Sequence, residues 1–342
     1  MRSLKKEASS GHRGRPNARW LTLPIHLRGR FTLRTVILVL TIISFLLAVA
    51  APRIHAKRRE RLSAKQIQEI GGSFTYDWEA EARPRGATGW RLARSLLGDD
   101  FFDNVVRVQI APRVRLSEHG LAFLAGLPEL RYLTLSNGSI HDADLLHVAS
   151  LRKLKFLAFI DAPVSDCGLR HLAGCRDLVE LHFYRTLVAG ETAARLRACR
   201  GLEVLKFDGS PLTNRGVKEV CKLEGLKELW VVNAPITDDA VLRIKDLRKL
   251  EVLFVFGARI TDSGLAELAM CRSLYSLTID QTNITDRGLR HLESMNGLAY
   301  LSVRGCALSE RAIERLQSKL PQCWVNTSKQ ANANSADRAR DQ

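Results

Sequence analysis

A chain of 342 residues, 46% of them hydrophobic, has room for one or two ordinary domains and enough apolar mass for a sizeable core. Its net charge of +16 is unevenly placed: residues 1–65 hold 15 Lys/Arg against 2 Asp/Glu, and the remainder is close to balanced. A nucleic-acid-binding domain would carry such an excess on its folded surface, so this placement argues against nucleic acid, and seven cysteines without a CxxC pair argue against a disulfide framework.

Residues 1–34 read as a basic tail. Residues 35–51 (TVILVLTIISFLLAVAA) are free of charge and read as a transmembrane or signal-anchor helix, at the short end of what spans a bilayer. Ala48-Val49-Ala50 offers a small-residue cleavage site, so retention and removal both stay open. Basic residues lie on both sides, among them Arg28, Arg30 and Arg34 before and Arg53, Lys57 and Arg58 after, so the positive-inside rule fixes no orientation. Analogy with N-terminal signal anchors places the rest of the chain outside the cytoplasm, as a single-pass membrane protein. Residues 52–104 are expected to form a juxtamembrane linker and a cap. Within them Lys57–Ile70 reads as helix up to Gly71-Gly72, and Phe74, Tyr76 and Trp78 alternate like a strand. Trp90–Leu97 reads as an amphipathic helix ended by Gly98.

Residues 105–326 form the repeat domain. Val105, Val108 and Ile110 mark a leading strand. From Ser117 to Leu308 a 24-residue unit then recurs eight times without insertion or deletion. Numbered from its Ser/Thr, position 14 is always leucine (Leu130 to Leu298) and position 17 is always leucine (Leu133 to Leu301). Position 19 is always apolar, and positions 5, 8 and 11 are apolar at a spacing of three. The unit therefore reads as helix, turn, short strand, turn, and a fixed period of this length marks a solenoid. A Ser/Thr at position 1 is expected to cap the helix of its unit, with Asp at position 2 favouring the positive helix end; His141-Asp142-Ala143-Asp144 departs from this, and Ser117 is followed by Glu118. Ala189-Gly190-Glu191 breaks that pattern, so the helix after Ala189 is expected to be the worst capped. Cys175, Cys199 and Cys271 share position 11 with leucines and read as small core residues. Ile313, Leu316 and Cys323-Trp324-Val325 give a closing helix and strand, and residues 327–342 read as a disordered tail.

The segment Leu226-Lys227-Glu228-Leu229-Trp230-Val231, followed by Ile236-Thr237-Asp238, resembles the leucine-rich repeat family, and the resemblance covers all eight units. Position 22, where most such repeats have Asn, holds Gly138, Ala162, Thr186, Ser210, Ala234, Ala258, Thr282 and Cys306. That departure and the helix cysteines resemble the cysteine-containing subtype of F-box substrate receptors and many bacterial proteins. Ile70–Tyr76 with Leu96–Phe102 resembles the N-terminal region of membrane-anchored leucine-rich repeat proteins of planctomycete bacteria. The resemblance implies an α/β solenoid, a curved parallel sheet with helices on the convex side, in which hydroxyls or backbone groups replace an Asn ladder.

Positions 16, 18 and 20 should point out from the inner strand surface. In units two to six they include Phe156, Ile160, His182, Tyr184, Lys206, Asp208, Trp230, Val232, Phe254 and Phe256, with Arg185 on the adjoining turn; units one, seven and eight supply mostly polar residues such as Thr278 and Asp280. An apolar patch with a polar rim is how protein-binding surfaces look. These eleven residues are the candidate partner-binding site for a protein or peptide. The competing reading is that the aromatic side chains merely cover one another on the sheet. His147, His171 and His291 recur at position 7 on the solvated helix side, and no phosphate loop, HExxH or GxSxG occurs. The expectation is a non-enzymatic scaffold without cofactor or metal. An F-box-like substrate receptor and a glycan-binding or passive envelope component are the alternatives.

Overall fold

The computed structural model describes residues 33–82, 101–112, 116 and 120–327; residues 1–32 of the expected basic tail, the Trp90–Leu97 helix and the tail from residue 328 lie outside them. The chain divides into two compact units, residues 1–51 and 52–342.

The first unit's described part lies on a helix that spans Leu33–Glu69. The anchor and the Lys57–Ile70 helix, expected as separate elements, therefore share one helix. Pro52 sits inside it, where the missing N–H removes one helical hydrogen bond, and the division between the two units falls at that point. Val36 to Leu40, Ile42, Ile43 and Phe45 are exposed. Contrary to the expected spanning helix over 35–51, no helix among the described residues is long and apolar enough to cross a membrane.

In the second unit, eleven described strands form one sheet in strict chain order. They are β1 (Ser73–Tyr76), β2 (Val105–Ile110), β3 (Tyr132–Ser136), β4 (Phe156–Ile160), β5 (Glu180–Tyr184), β6 (Val204–Asp208), β7 (Glu228–Val232), β8 (Val252–Phe256), β9 (Ser276–Asp280), β10 (Tyr300–Ser302) and β11 (Trp324–Asn326). β1 is antiparallel to β2, and the pairs from β2 to β11 are parallel. Trp78, expected to continue the first strand, instead lies in a short helix, Asp77–Ala80. Sequential parallel strands of one period are the geometry of a leucine-rich repeat solenoid.

The register explains the leucine columns. Leu133, Leu157, Leu181, Leu205, Leu229, Leu253 and Leu277 pair in line and are fully buried, as are the position 14 and 19 residues beside them. Phe159, Phe183 and Phe207 stack through the interior at centroid distances of 5.7 and 5.3 Å. The helical side differs along the solenoid. Units one to four carry 3-10 turns (Ala122–Gly126, Asp142–Asp144, Gly168–Gly174, Ala193–Ala198), with one α-helical turn at Leu145–Val148. Units five to eight carry α-helices: Asn214–Val220, Asp238–Ile244, Asp262–Leu268 and Asp286–Leu292. A 3-10 turn aligns residues three apart, so the spacing of positions 5, 8 and 11 suits it as well as a helix.

Both ends of the core are closed by elements the sequence marked. Ile67 is buried in the core, and Ser63 Oγ donates to the Phe123 carbonyl at 2.8 Å. Lys57, buried, donates to Glu60 at 2.6 Å, to the Asp103 carbonyl at 2.6 Å and to Asn104 Oδ1 at 2.8 Å, while Glu60 accepts from the Val105 N–H at 2.6 Å. That pair is fully hydrogen-bonded, the condition under which buried charge is tolerated. At the far end the amphipathic helix Glu310–Lys319 and β11 cover the last repeat through Leu316, Leu320, Cys323 and Val325.

Candidate functional site

Alternation along each strand turns positions 17 and 19 inward and leaves 16, 18 and 20 on the other face. The predicted residues accordingly lie on the outward face: Phe156, Ile160, Tyr184, Lys206, Asp208, Trp230, Val232, Phe254 and Phe256 are half-buried, and Arg185 is exposed. His182 differs, with only 6% exposure. The parallel register lines up Ala158, His182, Lys206, Trp230, Phe254 and Thr278 across six strands, and Ile160, Tyr184, Asp208, Val232 and Phe256 in the next column.

Two clusters result. On β4 and β5 the His182 ring meets Phe156 edge-on at 4.9 Å and Tyr184 at 5.8 Å. On β6 to β8 Trp230 and Phe254 stack at 4.5 Å with an interplanar angle of 9°, and Lys206 Nζ lies 4.1 Å from the Trp230 ring centroid. Both ring faces of Trp230 are therefore covered within the chain, and its Nε1 is buried without a partner. This cross-strand stack realises part of the competing reading, that neighbouring rings cover one another. Phe256, Val232, Ile160 and Tyr184 are not in such a stack.

Burial first, and then the nearby Lys206 charge, pushes the His182 pKa down to about 4, so the imidazole is neutral. Glu180 approaches its Nε2 to 3.5 Å without a hydrogen bond, and a neutral ring makes no ion pair there. Tyr184 Oη stands 3.5 Å from Nδ1. Arg185 instead pairs with Asp161 one repeat back, at 2.6 and 2.7 Å, which lowers the pKa of that carboxyl. His147, His171 and His291 stay apart on the helical side, and among the described residues no His/Cys/Asp/Glu group is placed to hold a metal ion.

Two expectations about the ends of the sheet need correction. Asp280 is fully buried: its carboxylate accepts from Ser302 Oγ (2.7 Å), the Arg304 N–H (2.8 Å) and Arg304 Nε (2.7 Å). The end units are also less polar than the pattern implied, because Tyr132 and Tyr300 occupy position 16 and Trp324 follows on β11. Tyr300 and Trp324 lie 5.2 Å apart, and Trp324 is 58% exposed. The signal was present in the position 16 column, where Tyr300 aligns with Phe156.

Asp at position 2 does more than favour a helix end. Each one reaches the next repeat: Asp142 accepts from Ser165, Asp238 from Thr261, Asp262 from Thr285 and Asp286 from Ser309, in every case from both N–H and hydroxyl at 2.5–2.8 Å. Asp166 does the same for the unit expected to be worst capped, accepting from the Ala189 and Thr192 N–H groups at 2.7 and 2.9 Å. The expected Ser/Thr caps form at Thr213, Thr261, Thr285 and Ser309 but not at Thr237. At position 22 hydroxyls replace the Asn ladder in pairs, Thr186 with Ser210 at 3.0 Å and Thr282 with Cys306 Sγ at 3.4 Å. The buried position 11 thiols of Cys175 and Cys199 donate to the Val148 and Leu172 carbonyls at 3.3 Å, and burial pushes their pKa values up to about 12 and about 11.

No protein-family model matches the chain, and no curated protein does. Among solved structures it is similar to an internalin (inlF) from Listeria monocytogenes, at 16% identity over 61% of this chain and 70% of that one, with a TM-score of 0.44. Internalin C2 (inlC2) from the same organism gives 18% identity over 61% of this chain and 84% of that one, with a TM-score of 0.45. Likeness at this level carries no function across, and the assignment of the solenoid rests on the repeats and their register.

Proposed function

We propose that the chain is a non-enzymatic protein-interaction scaffold that holds a protein or peptide segment on the outward strand face of β4–β8. The observation that supports it most is a pair of half-buried apolar and aromatic patches in register, Phe156, Ile160 and Tyr184 on one side of β6 and Trp230, Val232, Phe254 and Phe256 on the other, with Lys206 and Asp208 between them. Phe256, Val232 and Tyr184 are the contact points left open by the internal stack, and Trp230 with Phe254 is the rigid floor beside them. The test is proximity labelling from the repeat domain in intact cells, followed by recovery of the labelled partner with Phe256→Asp and Tyr184→Ala chains. A central aromatic of an interface contributes about 2 kcal/mol or more, so recovery should fall at least tenfold with the melting temperature retained. Unchanged recovery would remove the reading.

Attachment to a membrane through residues 35–51 is part of this proposal. It is supported by an uncharged stretch within a helix whose apolar side chains from Val36 to Phe45 are exposed, with basic residues on either side. Analogy with N-terminal signal anchors places the repeat domain outside the cytoplasm in this reading, and the labelled neighbours report the side. Glycan binding is kept as a second reading on one observation, the exposed Trp324 beside Tyr300, because sugar rings offer apolar faces to such a pair.

A further inference from the structure

Position 12 of the unit, in the turn from helix to strand, is arginine in five repeats: Arg152, Arg176, Arg200, Arg248 and Arg272. All five are exposed. The turn is the same beneath them where the backbone shows it, the N–H of Arg152, Arg176 and Arg248 each donating to the carbonyl two residues back at 3.1 Å. Successive strands pair without slippage from β3 to β10, so equal positions stack and the arginines form a row along one edge. Glu224 interrupts the row, and Arg197 of the preceding repeat meets it at 3.7 Å. None of the five arginines makes an ion pair among the described residues. The opposite edge, the turn from strand to helix, carries the position 2 carboxylates, each bound to the next repeat. Charge is thus largely sorted: one edge holds committed carboxylates, and on the other Arg and Lys outnumber the carboxylates of Glu129, Asp177, Glu224, Asp246 and Glu293.

We propose that this arginine row docks onto anionic lipid headgroups. A row of like charges repels itself and is stabilised by a surface of opposite sign, and guanidinium suits phosphate because it donates in a bidentate fork. Positions 9–13 contain no aromatic residue in any repeat, so the edge lacks the stacking platform that holds single-stranded nucleic acid. Lipids diffuse laterally and match whatever spacing the repeats impose, roughly 5–10 Å between strand and helix spacings, whereas nucleic-acid phosphates keep a fixed one. The same chain carries the exposed apolar side chains of Val36 to Phe45 between basic flanks, which favours a lipid surface over other polyanions. This inference rests on the membrane attachment proposed above and is independent of the strand-face reading.

The experiment places the full chain on nanodiscs of phosphatidylcholine alone or with phosphatidylglycerol and follows phenylglyoxal modification of each arginine by mass spectrometry. The five row arginines should react several-fold more slowly on the anionic discs, and salt of about 0.5 M should abolish the difference by screening. Arg215 and Arg287, on the opposite edge, should react alike on both discs. Arg176→Gln and Arg200→Gln, both at exposed positions, should each weaken protection of the remaining row by about fivefold. Equal rates on the two discs would overturn the proposal. So would stronger protection by a short DNA or RNA than by the anionic discs, which would hand the row to nucleic acid.

Discussion

His182 shows how one side chain acquires a property that its place in the repeat does not announce. At position 18 it should face outward like Lys206, yet Phe156, Tyr184 and Lys206 enclose it and hold its pKa at about 4. A histidine kept neutral in the folded state binds fewer protons there than in the unfolded chain, where its pKa is about 6.5. Its contribution to stability is therefore complete above about pH 6.5 and is lost as the pH falls towards 4. The groups packed around it are the Lys206 ammonium, the Glu180 carboxylate at 3.5 Å and the Tyr184 hydroxyl. Replacing His182 by Phe should flatten the acid side of the stability profile, by up to about 3 kcal/mol between those limits. Chemical denaturation of both chains across that range measures it, and parallel profiles would show that the ring is not held neutral. Sequence placed this residue correctly on the strand, but its burial depends on Phe156 and Lys206 from the strands on either side.

Between elements, the position 2 carboxylates join each helix start to the next. Asp238 takes both the N–H and the hydroxyl of Thr261, at 2.8 and 2.5 Å. Gly264 lies so close that an added Cβ would strike that same carboxylate, which explains glycine at position 4 in several units. Where position 2 is Asn214, its amide keeps both contacts, with Thr237 N–H at 2.9 Å and Thr237 Oγ1 at 2.8 Å. Asp238→Ala should thus cost about 1–3 kcal/mol, the range for a partly buried donor left unsatisfied, while Asp238→Asn should be close to neutral. Thermal unfolding of the two variants distinguishes them, and equal losses would show that charge rather than hydrogen bonding matters there. A second column was equally hidden. Position 21 takes a left-handed backbone at Asp161, Arg185, Gly209, Asn233, Gly257, Gln281 and Gly305, with φ between 48° and 71°. Its N–H donates to the following repeat, as from Arg185 to the Asp208 carbonyl at 2.7 Å. Three glycines in seven positions were a visible hint, but Arg185 and Gln281 gave none.

Over the whole molecule, stability is carried from neighbour to neighbour, because each unit buries its leucines only against the units beside it. Deleting Thr213–Ile236, one complete unit, should leave a cooperatively folded protein whose denaturant m-value falls roughly in proportion to the length removed. A deletion that is not a multiple of 24 breaks the columns and should unfold the repeats beyond it. Urea titrations of the two deletions check this, and comparable collapse in both would contradict nearest-neighbour stacking. The repeat architecture, the repeat strands and the inward leucines were written in the sequence, because a period of 24 with fixed apolar positions admits one way of burying them. Tertiary structure alone decided the rest: that Asp280 is buried on Arg304, that Trp230 is covered on both faces, that early units close with 3-10 turns, and that the position 12 arginines make no ion pair among the described residues. Those outcomes depend on which side chains meet across repeats and on how much water is left between them, and a residue's place within its own unit does not specify either.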